Sequence, residues 1–126
     1  ADRKAIDVRS WLPAEDAPIA MATLLGRDIV VRAGKDGAYF TRYSDSAKLS
    51  STYIPSLSVE AIDTNGAGDA HTGVLAASLA KGTSMERALV LANCAGALAS
   101  TTVGPATCPA RTQIKAAADA LAEQED

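Results

Sequence analysis

The 126-residue sequence has no run of lysines and arginines, no long apolar stretch, no paired cysteines and a single histidine. Each absence removes a class of function. With a formal net charge of −3 and no basic cluster, a nucleic-acid surface is not expected. The apolar stretches are rich in Ala and broken by Ser, Thr and Gly. None approaches the roughly 18–20 continuous apolar residues that a membrane span needs, so no membrane partner is expected. No basic segment followed by an apolar run opens the sequence, so no secretory signal is read and a cytoplasmic location is expected. Cys94 and Cys108 stand far apart, which fits small buried hydrophobes in a reducing compartment. A disulfide between them is a second reading. His71 has no thiols at ligand spacing, so zinc chemistry is not expected.

What remains is an ordinary globular composition, 48% hydrophobic, with enough length for one modest domain. The charged opening with Trp11 has no clear period. Residues 16–25 offer an apolar side through Ile19, Met21, Ala22 and Leu25, and Gly26 is placed to end a helix. Ile29, Val30 and Val31 read as a buried strand. A glycine-containing turn at residues 33–37 leads to a second strand at 38–43, and 52–54 reads as a third. Residues 59–62 form a strand-like lead into a glycine loop. From Gly66 the period becomes helical, with Ala70, Val74, Leu75 and Leu79 in phase as far as Gly82. Thr83 or Ser84 caps the next helix, whose apolar positions include Ala88, Leu91, Ala92, Ala95, Leu98 and Ala99. Residues 112–122 form a last amphipathic helix. Strands early and helices late predict an α/β arrangement. Four strands under one helix layer would leave that arrangement incomplete.

The chemistry concentrates in Asp63-Thr64-Asn65-Gly66-Ala67-Gly68-Asp69. A helix start exposes backbone N–H groups and partial positive charge, and small residues let an anion approach closely. Asp69 falls in the first helical turn. On these grounds alone the glycines could equally serve a tight turn, and Asp69 could simply gain from the helix dipole.

The heptad resembles the D-T-x-G-A-G-D signature of the ribokinase-like (PfkB) carbohydrate kinases. Arg32-Ala33-Gly34-Lys35-Asp36-Gly37 is similar to that family's nucleotide loop, although a plain hairpin turn also explains it. Residues 92–99 are similar to its alanine-rich penultimate helix, and residues 103–109 to the loop that follows. The resemblance implies a ribokinase-like (Rossmann-like) three-layer α/β sandwich. The whole of 1–126 would be its C-terminal ATP-binding and catalytic portion. It implies ATP, Mg2+ and K+ as ligands and a small sugar-like substrate. By resemblance, Asp69 is the base, with Gly66, Ala67 and Gly68 around the transferred phosphoryl group. Arg32, Gly34, Gly37 and Asn93 match nucleotide positions. For Asn93, a helix residue bonded to a neighbouring loop is the competing reading. Asp63, Asn65, Ala99, Thr102 and Gly104 match a monovalent-cation site; for Asp63, an Asx turn or cap at the loop entrance is the competing reading. Cys108 stands where relatives often carry a serine ligand, and a thiol is a poor partner for a hard cation.

The sequence also departs from the family. The N-x-x-E element tied to magnesium is absent near Trp11 and Glu15. The first glycine signature and the sugar-binding lid are not seen, nor is the surface through which relatives dimerise. His71 stands where many relatives carry Phe or another apolar residue; a packed or partly exposed helix position is expected, and a histidine that titrates near a phosphate site is the second reading. The expectation is ATP-dependent phosphorylation of a sugar hydroxyl by an intact enzyme, with little activity in this segment alone. A nucleoside kinase or a non-catalytic nucleotide-binding module remains as an alternative.

Overall fold

The computed structural model describes residues 16–104 and 108–124. The expectations that fall on Trp11, Glu15 and Pro105 lie outside those residues. The chain divides into two units, one of residues 1–33 with 38–53 and the other of 34–37 with 54–126.

In the first unit, helix α1 (Ala17–Leu25) leads to strands β1 (Ile29–Arg32), β2 (Ala38–Thr41) and β3 (Thr52–Ile54). Pro18 sits in the first turn of α1, where a missing N–H leaves no helical bond unmade. Gly26 closes the helix at φ 64°, and its N–H donates to the Ala22 carbonyl at 2.8 Å. The β-branched Ile29-Val30-Val31 run pairs antiparallel with β2, Ile29 opposite Thr41 and Arg32 opposite Ala38. The strand order is β1-β2-β3. Tyr39 and Tyr53 meet at 5.2 Å between ring centroids, and α1 packs over β1 and β2.

The second unit is built on α2 (Ala67–Ala80), α3 (Met85–Ala99) and α4 (Arg111–Gln124). Ser84 is the cap of α3, its Oγ accepting the Arg87 N–H at 3.2 Å. Helix α3 buries Ala88, Leu89, Ala92, Asn93, Cys94, Ala95 and Ala99, more of its circumference than an amphipathic stripe. It is the central helix, packed by α2 and by α4. Ile114 and Ala118 of α4 close over Cys94 and Ala95. Asp119 of α4 takes Arg87 across the same pair at 2.6 Å and Lys115 of its own helix at 3.0 Å.

Two expectations change. Residues 59–62 form no strand. The N–H groups of Ile62 and Asp63 instead donate to the Ser100 carbonyl, at 2.8 and 3.0 Å. An extended segment becomes a strand only beside a pairing partner, and here the end of α3 takes its donors. The described sheet accordingly has three strands rather than four. In α2, Leu79 is exposed and Ser78 is buried. The inward face runs through His71, Val74 and Ser78, a stripe at spacings of three and four that leaves Leu79 at its edge.

Candidate active-site loop

The predicted loop is fixed at its first residue. Asp63 Oδ1 accepts the Asn65 N–H at 2.9 Å, and Oδ2 accepts the Gly104 N–H at 3.0 Å. These bonds favour the ionised form and hold the Asp63 carboxyl below its ordinary value, Gly104 contributing most and Asn65 next. A single side chain thus ties the start of the glycine loop to the segment after α3. Ser100, which the sequence did not single out, supplies the carbonyl that receives Ile62 and Asp63.

The chain then turns into α2 at Gly66, whose φ of 86° suits glycine. The Ala67 N–H donates to the Thr64 carbonyl at 3.1 Å, and the helical ladder begins with Ala70 to Gly66 at 3.0 Å. No side chain caps this helix, in contrast to α3. Asp69 lies in its first turn and is exposed. The positive end of the helix, the small residues Gly66, Ala67 and Gly68, and an accessible carboxylate therefore share one end of α2.

This loop rests closely on α3 because position 96 has no side chain. A Cβ on Gly96 would stand 3.2 Å from the Ala67 carbonyl oxygen and 3.7 Å from His71 Cβ. The sequence signal was a glycine inside an alanine-rich helix, a residue that weakens a helix and is kept where backbones approach.

The residues matched to a cation site gather at the C-terminal end of α3. Asp63, Asn65 and Gly104 share hydrogen bonds, and Ala99 and Thr102 are bonded to each other, Thr102 N–H to the Ala99 carbonyl at 3.4 Å. One carboxylate with backbone carbonyls is an oxygen set that suits a hard cation. The exposed Cys108 thiol faces the Pro109 carbonyl at 3.8 Å and adds no hard donor. Among the described residues, no group of three or more His, Cys, Asp or Glu side chains could hold a metal, so a zinc-type cluster is not built there.

The nucleotide positions fall in different settings. Arg32 ends β1 in the first unit and is exposed. Gly34 opens a short 3-10 turn at φ 59°, and its α-carbon faces open space. Gly37 follows at φ 100°, and a Cβ there would overlap the Ile54 carbonyl oxygen. Asn93 is buried, and its Nδ2 donates to the carbonyls of Ile54 and Pro55, each at 3.0 Å. Both amide hydrogens are thereby used on the backbone of a neighbouring loop. Its Oδ1 lies 2.9 Å from Nε2 of the buried His71. His71, expected at a packed or partly exposed helix position, is buried.

Elsewhere in this unit a cavity of about 440 Å3 lies between the C-terminal half of α2, the N-terminal half of α3 and the start of α4. Val74, Leu91 and Ile114 line it with Lys81, Arg87 and Arg111, and none of the expected catalytic or nucleotide residues reaches it.

No described helix is long and apolar enough to cross a membrane. The profile of the pfkB family carbohydrate kinases matches residues 14–113. The bifunctional protein HldE of Azorhizobium caulinodans is 33% identical over 98% of this chain, which spans 26% of that protein. The crystal structure of ribokinase from Thermotoga maritima superposes with a TM-score of 0.72 at 25% identity, over 86% of this chain and 37% of that one. Ribokinase of Arabidopsis thaliana, complexed with ribose and ATP, superposes with a TM-score of 0.64 at 25% identity, over 79% of this chain and 32% of that one. The α/β fold is thus ribokinase-like and present in part, and the chain spans about a quarter to two fifths of these relatives. On the match of its family profile and the likeness of its fold, the chain belongs to the pfkB family of carbohydrate kinases.

Proposed function

We propose that this chain is the ATP-side and catalytic portion of a sugar kinase, with Asp69 as the base. The observation that carries this reading is the start of α2. It opens at a left-handed glycine with no side-chain cap and presents an exposed carboxylate in its first turn. Phosphoryl transfer asks for little more than positioning and charge stabilisation, and this end of the helix offers both.

The acceptor hydroxyl gives its proton to Asp69 as its oxygen bonds to the γ-phosphorus of ATP. The bond from that phosphorus to the β–γ bridging oxygen breaks, and ADP leaves with the electron pair. Gly66, Ala67 and Gly68 are small, so the transferred group can approach the positive end of α2. Arg32, Gly34 and Gly37 serve the phosphate and ribose side. Asn93 shapes the adenine side through the Ile54 and Pro55 backbone it holds. Magnesium carried with ATP would supply positive charge on the phosphate side. Asp63 and the carbonyls of Asn65, Ala99, Thr102 and Gly104 would hold K+, which adds positive charge beside the loop.

The test is ADP release by the intact enzyme over a panel of sugars and nucleosides. Asp69→Asn is expected to lower kcat by about 10²- to 10⁴-fold with little change in ATP affinity. Activity surviving that change removes Asp69 as the base. Transfer to nucleosides alone would reassign the acceptor, and ATP binding without transfer to any acceptor would leave a nucleotide-binding regulatory module. The 126-residue segment alone is expected to turn over little or no sugar; robust turnover would refute that part of the reading.

A further inference from the structure

We propose that His71 is a positioning residue for the phosphoryl transfer proposed above, on which this inference rests: its imidazole bolts α2 to α3 through Asn93 and so sets the direction in which Asp69 points. His71 and Asp69 stand two residues apart on α2, about 200° around the helix. One is buried and the other exposed. Whatever fixes the rotation of α2 at His71 therefore fixes the presentation of the carboxylate on the opposite side.

The bolt is directional. Carbonyl oxygens only accept, so the Asn93 atom that meets Ile54 and Pro55 at 3.0 Å is its NH2. The atom facing His71 is then Oδ1, which also only accepts. His71 must donate from Nε2 across the 2.9 Å contact, and this network assigns the tautomer. Ser56 extends the same tie, its Oγ donating to the Asn93 carbonyl at 3.3 Å. Gly96, one turn beyond Asn93 on α3, leaves the space in which the Ala67 carbonyl and His71 Cβ lie close to α3. The first turn of α2 is thus held by a buried, oriented hydrogen bond and by a backbone approach that any side chain at 96 would obstruct. Phenylalanine at 71 could fill the space but could not donate.

In the intact enzyme, imidazole nitrogen NMR compared between wild type and His71→Phe isolates the signals of this group, the one histidine of these 126 residues. The folded protein is expected to carry the Nε2 proton at neutral pH; a predominant Nδ1–H tautomer overturns the proposal. In His71→Phe, amide exchange across the first turn of α2 and at the Asn93 side chain is expected to quicken by about tenfold or more. His71→Gln, which restores a donor, is expected to slow it again. In the intact enzyme His71→Phe is expected to lower kcat by about tenfold to a hundredfold, with KM for ATP changed by less than about threefold, and His71→Gln to recover most of the loss. An active wild type whose kcat is indifferent to His71→Phe sinks this inference and leaves the kinase reading intact. A wild type that transfers no phosphoryl group to any acceptor sinks both.

Discussion

Gly34 and Gly37 look alike in the sequence, both glycines of one short loop, yet replacing each with alanine should give different losses of stability. Both have positive φ, 59° and 100°. An L-residue in that region costs about 1–2 kcal/mol in backbone strain. At Gly34 nothing lies within 4 Å of a Cβ, so the loss should stop there. At Gly37 the new Cβ overlaps the Ile54 carbonyl oxygen, with the Pro55 carbonyl carbon and the Ser56 nitrogen each at 3.2 Å. Backbone cannot rotate out of the way as a long side chain can. Residues 54–56 must move, and the two bonds from Asn93 Nδ2 to Ile54 and Pro55 weaken with them. At about 1 kcal/mol for each bond, Gly37→Ala should cost roughly 3–4 kcal/mol in all. That is a large share of the 5–15 kcal/mol that keeps a domain folded. Urea unfolding of wild type and the two variants, with m-values compared, measures it. Equal losses at 34 and 37 would refute the reasoning, because the backbone term alone would then explain both. A Gly37→Ala variant that keeps Asn93 side-chain protection unchanged would refute the coupling to the Asn93 network.

Two further expectations concern titratable groups. The Asp63 carboxyl sits below its ordinary value, because the Gly104 and Asn65 amides bond to its charged form. A depressed folded value contributes stability above the unfolded pKa and loses it as pH falls through the folded value. The stability gap between wild type and Asp63→Ala should therefore be full at neutral pH and close under acid below the ordinary aspartate range; a gap independent of pH would contradict this. Burial pushes the Cys94 thiol up to about 11, while Cys108 is exposed. Iodoacetamide at pH 8 should label Cys108 alone in the folded chain and both thiols after denaturation, as read by mass spectrometry; rapid labelling of native Cys94 would contradict its burial.

The parts legible in the sequence were those written in local chemistry. Gly26 ends α1, Ser84 caps α3, and the switch from strand to helix near Gly66 appears where the period changes. The site was legible to the extent that one loop carries it. Asp63 bonds to Asn65 two residues away, an Asx arrangement that sequence can anticipate. Its second bond, from the Gly104 N–H, spans 41 positions and has no signal in the sequence; resemblance put Gly104 near Asp63 only through its carbonyl. Residues 59–62 look strand-like in sequence and form no strand, because a strand is a property of two segments and the partner here is the carbonyl of Ser100. The buried face of α2 departs from the apolar pattern at Leu79, because two of its inward positions are the polar His71 and Ser78, which a hydrophobic period does not register.

Asn93 shows how the remaining ambiguity resolves. Resemblance placed it beside the adenine, and ordinary helix chemistry made it a tie to a neighbouring loop. With both amide hydrogens on Ile54 and Pro55 and its oxygen on His71, its side chain has no donor left for a base edge. A purine beside α3 would therefore meet the backbone that Asn93 holds rather than its amide. Asn93→Ala should then weaken ADP binding through the displaced 54–56 segment. Asn93→Asp should do at least as much harm, because a carboxylate would face two carbonyl oxygens with no donor between them. A direct adenine contact predicts another pattern, in which nucleotides lacking the matching base group become insensitive to the substitution. Calorimetry with ADP and a base-modified analogue separates the two: equal losses for both ligands support the backbone clamp, and a loss confined to ADP refutes it.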